Sequence, residues 1–200
     1  MNSASKKAIL VVSFGTSYEN TRKLTIEAIE HDIADAFPAC PTYRAWTSKM
    51  IIAKLKKRDG LTIHTVKEAL EQMLLDGITD VIVQPTHVIN GIENDQMKAD
   101  ALSFRDRFSS IVFGNPLLTT EEDNQAIVRV VADEFRDMDP DTALVLMGHG
   151  TEHYANTVYA ALDYRFKDTG HKNIFLGTVE AYPALDSLLR AADRSCWRLS

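Results

Sequence analysis

The sequence predicts an α/β protein of two similar lobes, each with a parallel sheet flanked by helices, the second lobe incomplete. Short apolar, β-branched runs alternate with longer segments of helical period, which is the pattern of strands joined by helical crossovers. Two stretches also share one plan of apolar strand, glycine-containing turn and polar helix start. They are Ile9-Leu10-Val11-Val12-Ser13-Phe14-Gly15-Thr16-Ser17-Tyr18 and Leu144-Val145-Leu146-Met147-Gly148-His149-Gly150-Thr151-Glu152-His153. The repetition places a first lobe at 1–118 and a second at 119–200.

The first strand is expected at 8–14 (AILVVSF), followed by a helix at 20–36. A strand at 42–46 (TYRAW) leads to a helix at 48–58 that stops at Gly60, and Thr65 caps a helix at 66–75 that stops at Gly77. Strands at 80–85 (DVIVQP) and 110–113 (SIVF) bracket a helix at 95–107. In the second lobe Thr120, followed by Glu121-Glu122-Asp123, caps a helix at 121–135. A strand at 143–147 (ALVLM), a helix at 154–166 ending before Gly170, a strand at 173–178 (NIFLGT) and a helix at 184–192 complete the order. Pro38, Pro116 and Pro140 fall in connections. The tail Arg194-Ser195-Cys196-Trp197-Arg198-Leu199-Ser200 has neither period, and the second copy has no counterpart of the first copy's 83–91 element.

With 45% hydrophobic and 25% charged residues over 200 positions, the chain can bury a sizeable core. A formal charge of −6 argues against a nucleic-acid partner. The one basic run, Lys54-Leu55-Lys56-Lys57-Arg58, reads as a solvated helix end. Cys40 and Cys196 are far apart and match no metal spacing, so reduced thiols and a cytoplasmic location are expected. No segment approaches the ~20 apolar residues that span a bilayer, and no membrane association is expected.

Open α/β sheets place ligands at the carboxyl ends of their strands, where four polar features gather: His149, Glu180, His87 and the loop 13–17. The two glycines beside His149 leave its imidazole room to face a cavity. A neutral imidazole and the carboxylate of Glu180, at the end of the next strand, suit Co(II), Fe(II), Ni(II) or Zn(II), and both also accept protons. Each residue has a plainer reading as structure. His153 is a secondary candidate, and His87 stands close to the turn signal Asn90-Gly91. The loop 13–17 lacks the lysine and glycine count of a P-loop. His31, His64 and His171 read as solvated, and Met50, Met73, Met97 and Met138 as core filler or flexible edge. Tyr43, Trp46, Tyr154 and Tyr182 lie near strand ends, where aromatic rings can floor a cavity for a flat ligand.

Seven motifs taken together carry a resemblance: AILVVSFGT at 8–16, RAWTSKMI at 44–51, KRDG at 57–60, HVING at 87–91, NPLL at 115–118, MGHG at 147–150 and VEAYP at 179–183. From about 7 to 190 the chain resembles the anaerobic sirohydrochlorin cobaltochelatases, the bilobal, ferrochelatase-like chelatases of early-insertion cobalamin biosynthesis. The resemblance implies insertion of Co(II), as substrate metal, into the strongly acidic macrocycle sirohydrochlorin, with no ATP and no organic cofactor. The family holds its tetrapyrrole in the cleft between lobes. Its metal-binding histidine matches His149, here also the expected base, and its metal-binding glutamate matches Glu180. Ser13, Gly15, Thr16, His87 and Glu93 are then the expected macrocycle contacts, with Arg44 and Lys49 meeting its carboxylates. The family's third ligand, a histidine in a later glycine-Asp-His turn, has no counterpart, so the second lobe is expected to be C-terminally truncated. A sheet edge bared in this way would favour self-association. The alternative reading is a non-catalytic tetrapyrrole- or metal-binding remnant of such a chelatase.

Overall fold

Among the described residues seven strands, all paired in parallel, form two sheets. A computed structural model describes residues 5–139, 141–194 and 198–199. The elements run β1 (Lys7–Ser13), α1 (Glu19–Arg22), a π turn (Lys23–Glu27), α2 (Ala28–Ala36), β2 (Thr42–Trp46), α3 (Lys49–Asp59), α4 (Val66–Leu75), β3 (Asp80–Pro85), α5 (Ile92–Leu102), β4 (Ser110–Phe113), α6 (Glu121–Glu134), β5 (Thr142–Gly148), α7 (Thr157–Asp168), β6 (Ile174–Thr178), α8 (Leu185–Arg194) and β7 (Arg198–Leu199). Two compact units result, Met1–Leu117 and Leu118–Ser200. Among the described residues no helix is long and apolar enough to cross a membrane. Pro140 and Cys196 lie outside the described residues.

The first unit has strand order β2-β1-β3-β4. Its central strand β1 is buried at every position after Lys7, as expected of a parallel strand covered on both faces. Leu10, Val12, Val81 and Val83 meet Leu70 and Met73 of α4 and Met97 of α5 in one core cluster. Trp46, at the end of β2, packs in a second cluster with Ile26, Leu55 and Ile63. Local chemistry sets the helix limits. Thr65 and Glu68 form a reciprocal capping box on α4, and Gly60 ends α3 in the left-handed conformation that glycine adopts without cost.

Two helices of this unit depart from expectation. The helix expected at 20–36 contains a π turn that inserts a residue into the helical register. The Arg22 Nε to Glu27 Oε1 bond of 2.9 Å spans the five-residue spacing of that turn, and Ile26 is its buried residue. The helix expected at 95–107 starts at Ile92, behind Gly91, and ends at Leu102 before a single 3-10 turn. Glu93 therefore lies in a first helical turn, where a carboxylate complements the helix dipole.

The second unit has order β6-β5-β7. Its tail corrects the reading that 194–200 carries no strand: Arg198 and Leu199 pair with Thr142 and Ala143. A two-residue strand is too short to show a period. It occupies the side of β5 that β3 occupies beside β1. Met138, expected on a helix, lies in the turn after α6.

Strand β6 is held to α7 by a polar network. Asp163 Oδ1 accepts the Leu176 N–H at 2.8 Å and pairs with Lys167, whose Nζ donates to the Ile174 carbonyl at 2.8 Å and lies 4.3 Å from the centre of the Phe175 ring. Removing Asp163 leaves the Leu176 N–H without its acceptor and Lys167 without its counter-charge. Asp163→Ala is expected to destabilise the protein by about 2–4 kcal/mol, read as a shift in its urea unfolding curve.

Candidate metal and substrate site

The parallel pairing of β5 and β6 brings Gly148 opposite Thr178 and continues two residues past the strands. The Val179 N–H donates to the Gly148 carbonyl and the Glu180 N–H to the His149 carbonyl, each at 3.0 Å. His149 and Glu180 are thereby fixed side by side, with Nδ1 to Oε2 at 3.8 Å and side chains 79% and 64% exposed. His149 Nδ1 also lies 3.0 Å from the Gly150 carbonyl, which can only accept, so Nδ1 carries the proton in that bond. The Nε2 lone pair is then the one left to accept a proton or coordinate an ion. Among the described residues no cluster of three or more His, Cys, Asp or Glu is arranged to hold an ion.

Sterics explain the glycines of this turn. A Cβ on Gly148 would fall 2.6 Å from Tyr159 Cε1, and one on Gly150, at φ +86°, would fall 2.9 Å from the Ala181 nitrogen. Asn156 closes the arrangement: its Oδ1 accepts the Thr151 N–H at 3.0 Å, and its Nδ2 donates to the Tyr182 carbonyl at 2.6 Å. This residue ties the histidine turn to the glutamate loop, and nothing in its sequence context marks it. Tyr154 and Tyr182 stand 79% and 70% exposed near the same turns. His153 accepts the Ala155 N–H through Nδ1, packs 4.1 Å from the Tyr154 ring and serves as a helix cap.

The first unit repeats this backbone with different side chains. The Thr47 N–H donates to the Ser13 carbonyl at 3.0 Å and the Ser48 N–H to the Phe14 carbonyl at 3.2 Å. Gly15, at φ +102°, corresponds to Gly150, and its Cβ would fall 2.5 Å from Trp46 Cε3. Phe14 therefore corresponds to His149 and Ser48 to Glu180, a pairing that the sequence repeat reveals only when its two left-handed glycines are superposed.

The other candidates separate. Ser13 is buried and its Oγ accepts from Thr86 Oγ1 at 2.8 Å, which fastens β1 to the end of β3. Thr16 accepts the Tyr18 N–H at 3.3 Å. Arg44 lies in the middle of β2, not at its end. It is bidentate to Glu30 and 3.6 Å from Glu27, so its charge is already matched within the protein. His87 has both ring nitrogens buried without a hydrogen-bond partner among the described residues. Burial holds its pKa below the ordinary 6.5, and the charge of Glu93 pulls the other way. Tyr43 is pushed up to about 12 by burial and by its bond to Asp76. Trp46 is fully buried, so its ring floors no open site, while Tyr43 is half-buried and packs against the first core cluster. His31 makes an exposed pair with Asp35 at 3.4 Å.

The profile of the family described as Cobalt chelatase (CbiK) matches residues 7–197. The chain is 38% identical over 184 residues to a sirohydrochlorin cobaltochelatase of Salmonella typhimurium, an alignment covering 92% of the chain and 69% of that relative. It is 31% identical over 191 residues to the sirohydrochlorin cobaltochelatase CbiKC of Nitratidesulfovibrio vulgaris, covering 92% of the chain and 65% of that relative.

Gly150→Ala, which forces a side chain into a left-handed position against backbone, is expected to cost about 1–3 kcal/mol in urea unfolding. The depressed His87 pKa means that the unfolded chain binds a proton the folded ring resists. This contribution is fully present above pH 6.5 and is lost as pH falls through the lower folded value. Between pH 7.5 and 5.5, wild type is expected to lose more stability than His87→Gln, a comparison of urea midpoints.

Proposed function

The chain belongs to the cobalt chelatase (CbiK) family, and from that premise we propose that it inserts Co(II) into sirohydrochlorin with His149 and Glu180 holding the incoming ion. Membership makes it a metal chelatase with Co(II) as substrate metal. The observation that carries the residue assignment is the main-chain pairing that fixes an exposed imidazole beside an exposed carboxylate.

The chemistry asks for little more. Co(II) must shed water, be offered to one face of the ring and replace two pyrrole protons, so that one metal ion enters as two protons leave. Two neighbouring donors hold the ion weakly enough to release it, whereas a closed tetrahedral set would retain it. As the ring takes the metal, His149 Nε2 is freed and becomes the acceptor for a pyrrole proton, with the Glu180 carboxylate as the second acceptor. The reaction draws on neither ATP nor an organic cofactor and takes place in the cytoplasm. In the first unit Gly15, Thr16, His87 and Glu93 are the macrocycle contacts in this reading. Ser13 acts indirectly, by holding Thr86.

An anaerobic absorbance assay with sirohydrochlorin and Co(II) tests this. Wild type is expected to metallate above the protein-free rate. His149→Ala should abolish the excess, and Glu180→Gln should raise the Co(II) concentration required by at least about tenfold. Metallation that is unchanged in His149→Ala would overturn the assignment. A folded chain that binds the macrocycle without metallating it would favour the non-catalytic reading.

A further inference from the structure

A strongly acidic macrocycle has to settle on a chain whose own formal charge is −6, so the surface sign must reverse somewhere. In the first unit it reverses on α3, which carries Lys49, Lys54, Lys56, Lys57 and Arg58 against the single acid Asp59. Lys56, Lys57 and Arg58 occupy the last turn, where the helix dipole accounts for cations, and Arg58 is already bidentate to Asp59 at 2.7 Å. Lys49 and Lys54 have no such account. Glu19, within electrostatic reach of Arg58, is taken up by Lys23 at 2.7 Å.

Lys54 reaches over to the loop after β1, its Nζ 3.3 Å from Ser17 Oγ, and Arg58 holds the same loop through the Ser17 carbonyl at 2.8 Å. One helical turn before Lys54 stands Met50, 78% exposed. Phe14, the counterpart of His149, is 47% exposed and fastened to the start of α3 through Ser48. Exposed apolar and cationic residues thus share the first half of α3 and the loop after β1, at the rim where open α/β sheets take ligands. A small anion has no use for Met50 and Phe14, and a plain apolar ligand has none for the lysines. A flat ring with apolar faces and carboxylates around its edge uses both.

We propose that Lys49 and Lys54 receive carboxylates of the tetrapyrrole while Phe14 and Met50 lie against its face. This makes them positioning and specificity residues of the first unit, keeping Lys49 in the role the sequence had assigned to Arg44 and Lys49 and putting Lys54 in the place of Arg44. The inference rests on the chelatase reading for the identity of the ligand. The basic run, expected to be a solvated helix end, is so only in its last turn.

The test is an anaerobic titration of the full chain with metal-free sirohydrochlorin, followed by absorbance at low and high salt, on wild type and on the double variant Lys49→Gln/Lys54→Gln. Both positions are exposed, and far-UV circular dichroism checks that the variant is folded. The double variant is expected to bind about fivefold more weakly at low salt, with the gap closing at high salt. The fully esterified macrocycle should bind both proteins alike. Equal affinity and equal salt dependence in the two proteins would overturn the inference. Failure of wild type to bind the macrocycle overturns it together with the chelatase reading. A wild type that binds with the expected lysine dependence yet metallates nothing sustains the inference and removes the catalytic reading alone.

Discussion

Two main-chain hydrogen bonds, from the Val179 and Glu180 N–H groups to the carbonyls of Gly148 and His149, set an exposed imidazole beside an exposed carboxylate. Parallel strands diverge readily past their last ladder bond, and the side chains that follow then point where the loops take them. Here the ladder runs on for two residues, so the separation of imidazole and carboxylate is set by backbone geometry rather than by side-chain packing. Everything near the turn protects that extension. Glycine at 148 admits Tyr159, glycine at 150 turns the chain without striking Ala181, and Asn156 binds a backbone group on each loop. Because the scaffold is main chain, both functional side chains can stay largely exposed and exchange partners.

The parallel α/β organisation was legible from β-branched runs and capping residues, because each reports a local preference that the tertiary structure upholds. The helix at 66–75 is the clearest case, with Thr65 and Glu68 closing its start reciprocally. What escaped depends on contacts across the chain or on subtle register. The π turn at Lys23–Glu27 leaves the apolar pattern almost unchanged, and only the Arg22–Glu27 spacing reveals it. Strand β7 exists because Thr142 and Ala143 have a free edge, not because Arg198 and Leu199 look like a strand.

Within the site, residue type pointed to His149 and Glu180 but could not say how they meet. Arg44 shows the reverse failure: its charge was visible, but the carboxylates of Glu27 and Glu30 that consume it lie on the preceding helical segment. Asn156 and Lys54 went unassigned because their value lies in what they reach, a Tyr182 carbonyl in one case and the Ser17 loop in the other. The first unit carries a buried histidine and a tethered serine, and an exposed phenylalanine at the position that His149 holds in the second.

The matching backbone bonds of the two units have a historical meaning. A duplicated segment whose geometry rests on peptide groups and two left-handed glycines keeps its shape while the residues at its tips drift. Position 14 and position 149 hold the same place in the two matching backbones, with a phenylalanine at one and a histidine at the other. If one half serves the ion and the other the ring, as we propose, that division required no invention of architecture, only that each copy be free to spend its tip residues on a different molecule.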